Sequence, residues 1–115
     1  MLDRNFFEQK EELQIKKIRL DTVQDEVFVR EMTAEELGSY ELSIVTVDTQ
    51  GNIKQNLNNH KEKFLVRVLC DENGKRLFKD EEYKLLGKKK PALINELYRK
   101  ASAELFESEE EVKKK

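Results

Sequence analysis

His60 is the only histidine among 115 residues, and so the only side chain with an ordinary pKa near neutrality. The repeat Ile53, Leu57, His60, Phe64 places it near an apolar helix face, where a general base would need a nucleophile beside it. No Ser or second Cys stands in an activating motif nearby, so His60 reads as a structural residue at the rim of a core. Cys70, the one cysteine, would act as a thiolate, but it carries no local catalytic signature and reads as a small core residue that cannot form an internal disulfide. Asp71, Glu72, Asp80, Glu81 and Glu82 concentrate carboxylates as a calcium loop does. They lack the Asp-x-Asp-x-Asp-Gly ladder with a closing Glu, and read as a solvated loop and helix-start acids. With one His and one Cys there is no Cys/His metal cluster. Lys88-Lys89-Lys90 and Lys113-Lys114-Lys115 are cationic enough to meet phosphate, but each lies close to acidic residues and reads as solubilising. The chain reads as a non-enzyme without a cofactor.

Charge narrows the partners further. Lys and Arg number 22 against 24 for Asp and Glu, a net charge of -2 with 40% of residues charged and 37% apolar. A nucleic-acid binder needs a basic excess or stripe, which this balance denies. No apolar run approaches the roughly 18 residues needed to cross a bilayer, and the start Met1-Leu2-Asp3-Arg4-Asn5-Phe6-Phe7 lacks the features of a signal peptide. A soluble, cytoplasmic protein is the expectation. Its length suits one domain with a single small core, for which oligomerisation is a natural supplement.

The elements that must position these residues follow from pattern. Residues 12 to 31 read as a β-hairpin, with a change of apolar parity between Ile15 and Ile18 that predicts a bulge near Lys16-Lys17. Thr33-Ala34-Glu35-Glu36 is a capping box that starts a helix at Ala34, carrying Leu37, Tyr40, Ile44 and Val47 at helical spacing. After a break at residues 48 to 51, Asn52 and Gln55 suggest a second cap and a long helix from about Ile53 to Cys70. Its apolar face holds Ile53, Leu57, Phe64, Leu65, Val68 and Leu69, with Lys54, Lys61, Lys63 and Arg67 projecting elsewhere. Gly74 suits a positive-φ reversal. Residues 80 to 87 read as a short helix ended by Gly87 in a left-handed cap, and Pro91 opens a last helix to 106. The expected fold is therefore α+β: an N-terminal β-hairpin packed on about four helices, with Leu37, Leu57, Phe64, Val68, Ile94 and Leu97 in one core. One domain spans 1–106, and 107–115 form a charged, frayed tail.

A hairpin leading into Val29-Arg30-Glu31-Met32-Thr33-Ala34-Glu35-Glu36, then a long helix ending in Leu69-Cys70-Asp71-Glu72-Asn73-Gly74-Lys75-Arg76-Leu77-Phe78-Lys79-Asp80-Glu81-Glu82, resembles the tail assembly chaperones of long-tailed bacteriophages and prophages. The resemblance spans roughly residues 10 to 106, and the Asp-Glu-Asn-Gly-Lys-Arg-Leu-Phe stretch is its most specific part. It implies a cytoplasmic factor that coats the tape measure protein, keeps it soluble, helps recruit tail tube subunits and leaves before the tail is finished. It carries no catalytic residue to transfer. It also implies a longer product made by ribosomal frameshifting, for which codons of Val112-Lys113-Lys114-Lys115 would suit slippage. A structural tail component (connector or tube subunit) and a small host protein-binding adaptor are the other readings of the same residues.

Within that reading, the partner-binding candidates come from the residues themselves. Val27, Phe28 and Val29 put apolar side chains on both parities of one strand, so either one face is left for a partner or the protein's own helices cover both, and Tyr40 on the neighbouring helix is the fourth candidate. The expected partner is an amphipathic helical segment of the tape measure protein, together with weak self-association.

Overall fold

In a computed structural model, which describes residues 1–113 and their side chains through Phe106, a short helix α1 (Arg4–Glu8) precedes the main body. The body begins with an antiparallel hairpin of β1 (Ile15–Leu20) and β2 (Asp25–Arg30), paired without interruption from Ile15 opposite Arg30 to Leu20 opposite Asp25. The bulge expected at Lys16-Lys17 is therefore absent. Lys16 shares the inward parity of Ile18 and Leu20, and partial burial of its aliphatic stem continues that row, while Ile15 belongs to the opposite face. The turn at residues 21–24 contains no glycine and uses Gln24 in the left-handed region, at φ +52°.

Helix α2 (Ala34–Ser43) starts where its capping box dictates. The Thr33 hydroxyl accepts the Glu36 amide at 3.2 Å, and the Glu36 carboxylate accepts the Thr33 amide at 3.0 Å. It ends at Ser43, because the β-branched residues beyond form strand β3 (Val45–Val47), paired with β4 (Ile53–Gln55) in a second, two-stranded hairpin. Asp48 closes this hairpin by accepting the Gln50 and Asn52 amides at 2.9 and 2.8 Å, with Gly51 at φ +83°.

The long helix expected from Ile53 is thus corrected to α3 (His60–Val68), preceded by Asn59 at φ +59°. Its predicted last two residues instead form β5 (Leu69–Cys70), which pairs with β2 to give the sheet order β1-β2-β5. Gly74 turns the chain at φ +86°, and Arg76 bridges back to Cys70. A 3-10 turn (Asp80–Glu82) then leads into α4 (Tyr83–Leu86). Gly87 ends α4 in right-handed geometry, at φ -64°, rather than in the left-handed cap expected. Helix α5 (Pro91–Lys113) opens at Pro91 and runs past the expected boundary at 106/107. The side chains of the charged tail, including the lysines considered for frameshifting, lie outside the described residues.

The core joins Ile18, Leu20 and Val29 of the sheet to Phe64, Leu65 and Val68 of α3 and to Ile94, Leu97 and Ala101 of α5. Phe64 is its aromatic centre, with the rings of Tyr40, Tyr98 and Phe106 at 5.8, 5.5 and 5.8 Å. Leu37 and Leu57, expected in this core, are 36% and 51% exposed. Leu57 precedes α3 rather than lying on it, and α2 buries none of its residues completely. Arg67, expected to project outward, is buried. The fold is a single α+β domain, a three-stranded sheet against helices.

Candidate partner-binding surface

Strand β2 presents its two faces to different surroundings. Val27 and Val29 lie opposite Ile18 and Lys16 on the core side, where Val29 is fully enclosed and Val27 packs against the buried cluster. Phe28 takes the other parity with Lys17 and Cys70 beside it, and the Lys17 ammonium sits 5.8 Å from its ring centroid. Phe28 is half-buried and outside the core cluster. Tyr40 packs edge-to-face on Phe64, and burial pushes its phenol upward in pKa. Of the four residues singled out from sequence, three serve the core to some degree, and Phe28 is the one that looks away from it.

A partly buried ionic network holds the end of β2 against the helices. Arg30 donates to Glu36 at 2.6 Å, and Arg76 reaches the same carboxylate at 3.8 Å and Asp80 at 2.6 Å. Arg67 completes the network, donating to the Lys63 carbonyl at 2.6 Å and the Ser39 hydroxyl at 3.0 Å, with Asp80 at 3.5 Å. Burial alone would raise the Glu36 carboxyl, but the bonds from the Thr33 amide and Arg30, with the charges of Arg30 and Arg76, hold it below its usual range. Asp80 follows the same logic: burial is outweighed by Arg76, Arg67 and the Ser39 hydroxyl. The network fixes α2, α3 and the turn after Phe78 to one another. It does no chemistry of its own, since its carboxylates are kept ionised and occupied.

At the other end of the hairpin, Glu96 of α5 accepts the Asp21 and Thr22 amides at 2.7 and 2.9 Å and the Thr22 hydroxyl at 2.8 Å. Lys100 pairs with Glu96 at 2.9 Å and donates to the Arg19 carbonyl at 2.6 Å. The hairpin is thus pinned at both ends, and Phe28 sits on the strand between them. Sequence reasoning missed both clusters. Only the capping box, which names Glu36, hinted at either.

The residues that invited catalytic readings are occupied structurally. His60 Nδ1 lies 3.0 Å from the Leu57 carbonyl, and its ring meets Tyr98 edge-on. Cys70 is buried, which pushes its thiol above the ordinary range and away from thiolate chemistry. Asp71 accepts the Asn73 and Lys75 amides at 2.8 and 3.0 Å to shape the turn at Gly74. No group of three metal-ligating side chains occurs among the described residues. No helix among them is long and apolar enough to cross a membrane.

Large apolar side chains nevertheless remain at the surface. Leu42, Val47 and Ile53 are 75%, 66% and 74% exposed around the β3-β4 hairpin, and Phe6 and Phe7 stand out on α1. On a chain with 40% charged residues, such surface suits protein contacts rather than small-molecule chemistry.

Comparison with known proteins agrees with that chemistry. No curated protein matches the chain. The solved structure of the bacteriophage HK97 tail assembly chaperone is similar in fold, with a TM-score of 0.53 at 17% identity over 77% of this chain and 82% of that one. The family model described as phage tail assembly chaperone matches residues 10–115. The chain belongs to the phage tail assembly chaperone family.

Proposed function

We propose that this chaperone binds the tape measure protein, keeping it soluble in the host cytoplasm while the tail is built, helps recruit tail tube subunits and leaves before the tail is complete. The observation that carries the reading is Phe28, an aromatic side chain turned away from the core on a strand clamped at both ends. An amphipathic tape-measure helix laid across this face would cover the Phe28 ring and meet the cations Lys17 and Arg19, which share its parity. Val27 and Val29 point to the core side of the strand, and Val29 is enclosed with no surface to offer. Transient release is compatible with an interface of moderate size.

Co-purification tests this. The tape measure protein should be recovered in complex with the chain from cells making both, and mass spectrometry of finished tails should find no stoichiometric copy of the chain. Its presence in finished tails would instead make it a structural component. Failure to recover any complex would remove the tape measure protein as partner.

A further inference from the structure

The turn end of the hairpin carries a second surface, which shares no residue with the Phe28 face. Thr22, Val23, Ala92 and Leu93 line a shallow depression of about 440 Å³, with Lys89 and Lys90 on its rim. The turn is tied to α5 here, because Glu96 accepts the Asp21 and Thr22 amides, and Val23 beside them is left 51% exposed. An apolar floor stays open to solvent.

The charge around it is one-sided. No carboxylate lines the depression, the first turn of α5 contains no acidic residue, and Lys88, Lys89 and Lys90 face solvent without an ion pair among the described residues. Asp21 counts as a full charge, since Lys100, 3.4 Å from it, is already held by Glu96 at 2.9 Å. Glu62 adds another on the α4 side, beside Gly87. The three lysines still outnumber them.

An apolar floor under a cationic rim calls for a ligand that brings carboxylates to the lysines and an aliphatic or aromatic side chain to cover Val23 and Leu93. A nucleic acid would supply only the charge. The floor offers no aromatic ring for a base to stack on, and three lysines on a chain of net charge -2 form no extended basic stripe.

We propose that this depression docks an acidic segment of a partner protein, its carboxylates paired with Lys89 and Lys90 and an anchoring Leu or Phe seated on Val23, Ala92 and Leu93. Neither Phe28 nor Lys17 takes part, so this surface and the strand face assigned to the tape measure protein are filled independently.

The test titrates the ¹⁵N-labelled full chain with a synthetic peptide, Glu-Asp-Leu-Phe-Glu-Asp-Glu, blocked at both ends. Amides of Val23, Lys89, Lys90, Ala92 and Leu93 should shift together and saturate. Lys89→Glu with Lys90→Glu, or Val23→Ser alone, should weaken binding by about tenfold or more while circular dichroism stays native, and Phe28→Asp should leave it unchanged. Raised salt should weaken it as well. No saturable shift at millimolar peptide, shifts centred on another surface, or equal binding by a peptide with Ser in place of its Leu and Phe, which would reduce the site to ionic adsorption, would each overturn the proposal. So would tighter binding of a single-stranded oligonucleotide at the same amides, or shifts there on diluting the chain alone, which would give the depression to another copy.

Discussion

Glu96 and Thr22, 74 positions apart in sequence, meet through one carboxylate oxygen that accepts both the amide and the hydroxyl of Thr22 at 2.9 and 2.8 Å. With the Asp21 amide and the Lys100 ammonium on the other oxygen, the carboxylate is fully engaged. The Thr22 amide first, then Lys100 and the Asp21 amide, pull its pKa from 4.5 to about 2.

A depressed carboxyl pKa stabilises the fold above the unfolded value, and that contribution is lost as pH falls through the folded one. The Glu96 contribution should therefore be complete above about pH 4.5 and disappear towards pH 2. Urea midpoints measured across this window should fall with pH in the native chain. The fall should be shallower in Glu96→Gln, which starts from a lower midpoint at pH 7.

Phe64 is 2% exposed and touches three aromatic rings, so Phe64→Ala should cost about 3 to 5 kcal/mol, enough to unfold a marginal domain. Leu57→Ala should cost less than about 1 kcal/mol, because that side chain is 51% exposed. Thermal denaturation followed by circular dichroism separates the two, and an unchanged Tm for Phe64→Ala would refute the core assignment.

Removing Arg67 leaves Asp80 still paired with Arg76, so no buried charge is stranded. Arg67→Ala should nonetheless lose about 1.5 to 3 kcal/mol with its bonds to Lys63 and Ser39. Arg67→Met, which refills the space and removes a buried Nε that has no hydrogen-bond partner in the protein, should recover part of this loss in chemical denaturation.

Gly74 sits at φ +86°, and a Cβ there would stand 2.9 Å from Ile15 Cδ1. The backbone conformation sets most of the cost of Gly74→Ala, about 1 to 2 kcal/mol, since the Ile15 side chain can yield. Denaturant midpoints should show this loss persisting when Ile15→Val is added.

Signals confined to a few neighbouring residues were legible in the sequence. Thr33 and Glu36 announce the start of α2, Pro91 that of α5, and Gly74 its turn. Asn52 and Gln55 imitate the same cap signal, yet Ile53 pairs with Val47 in a hairpin, a choice made by cross-strand contact rather than by local spacing. Arg67 reads as one more cation on a polar face because Ser39 and Asp80, which draw it inside, arrive from distant segments. Val29 and Phe28 carry equal weight in a run of apolar residues. Only the pairing register shows that the core takes the first and leaves the second half-covered.

The most direct measurement is the soluble fraction of the tape measure protein when it is co-expressed with the native chain, with Phe28→Asp, or alone. Phe28 lies outside the core cluster, so the variant should keep its fold by circular dichroism while the tape measure protein falls to the insoluble level seen without any chaperone. A folded Phe28→Asp that still keeps the tape measure protein soluble, or a native chain that never does, would contradict the role given to this face.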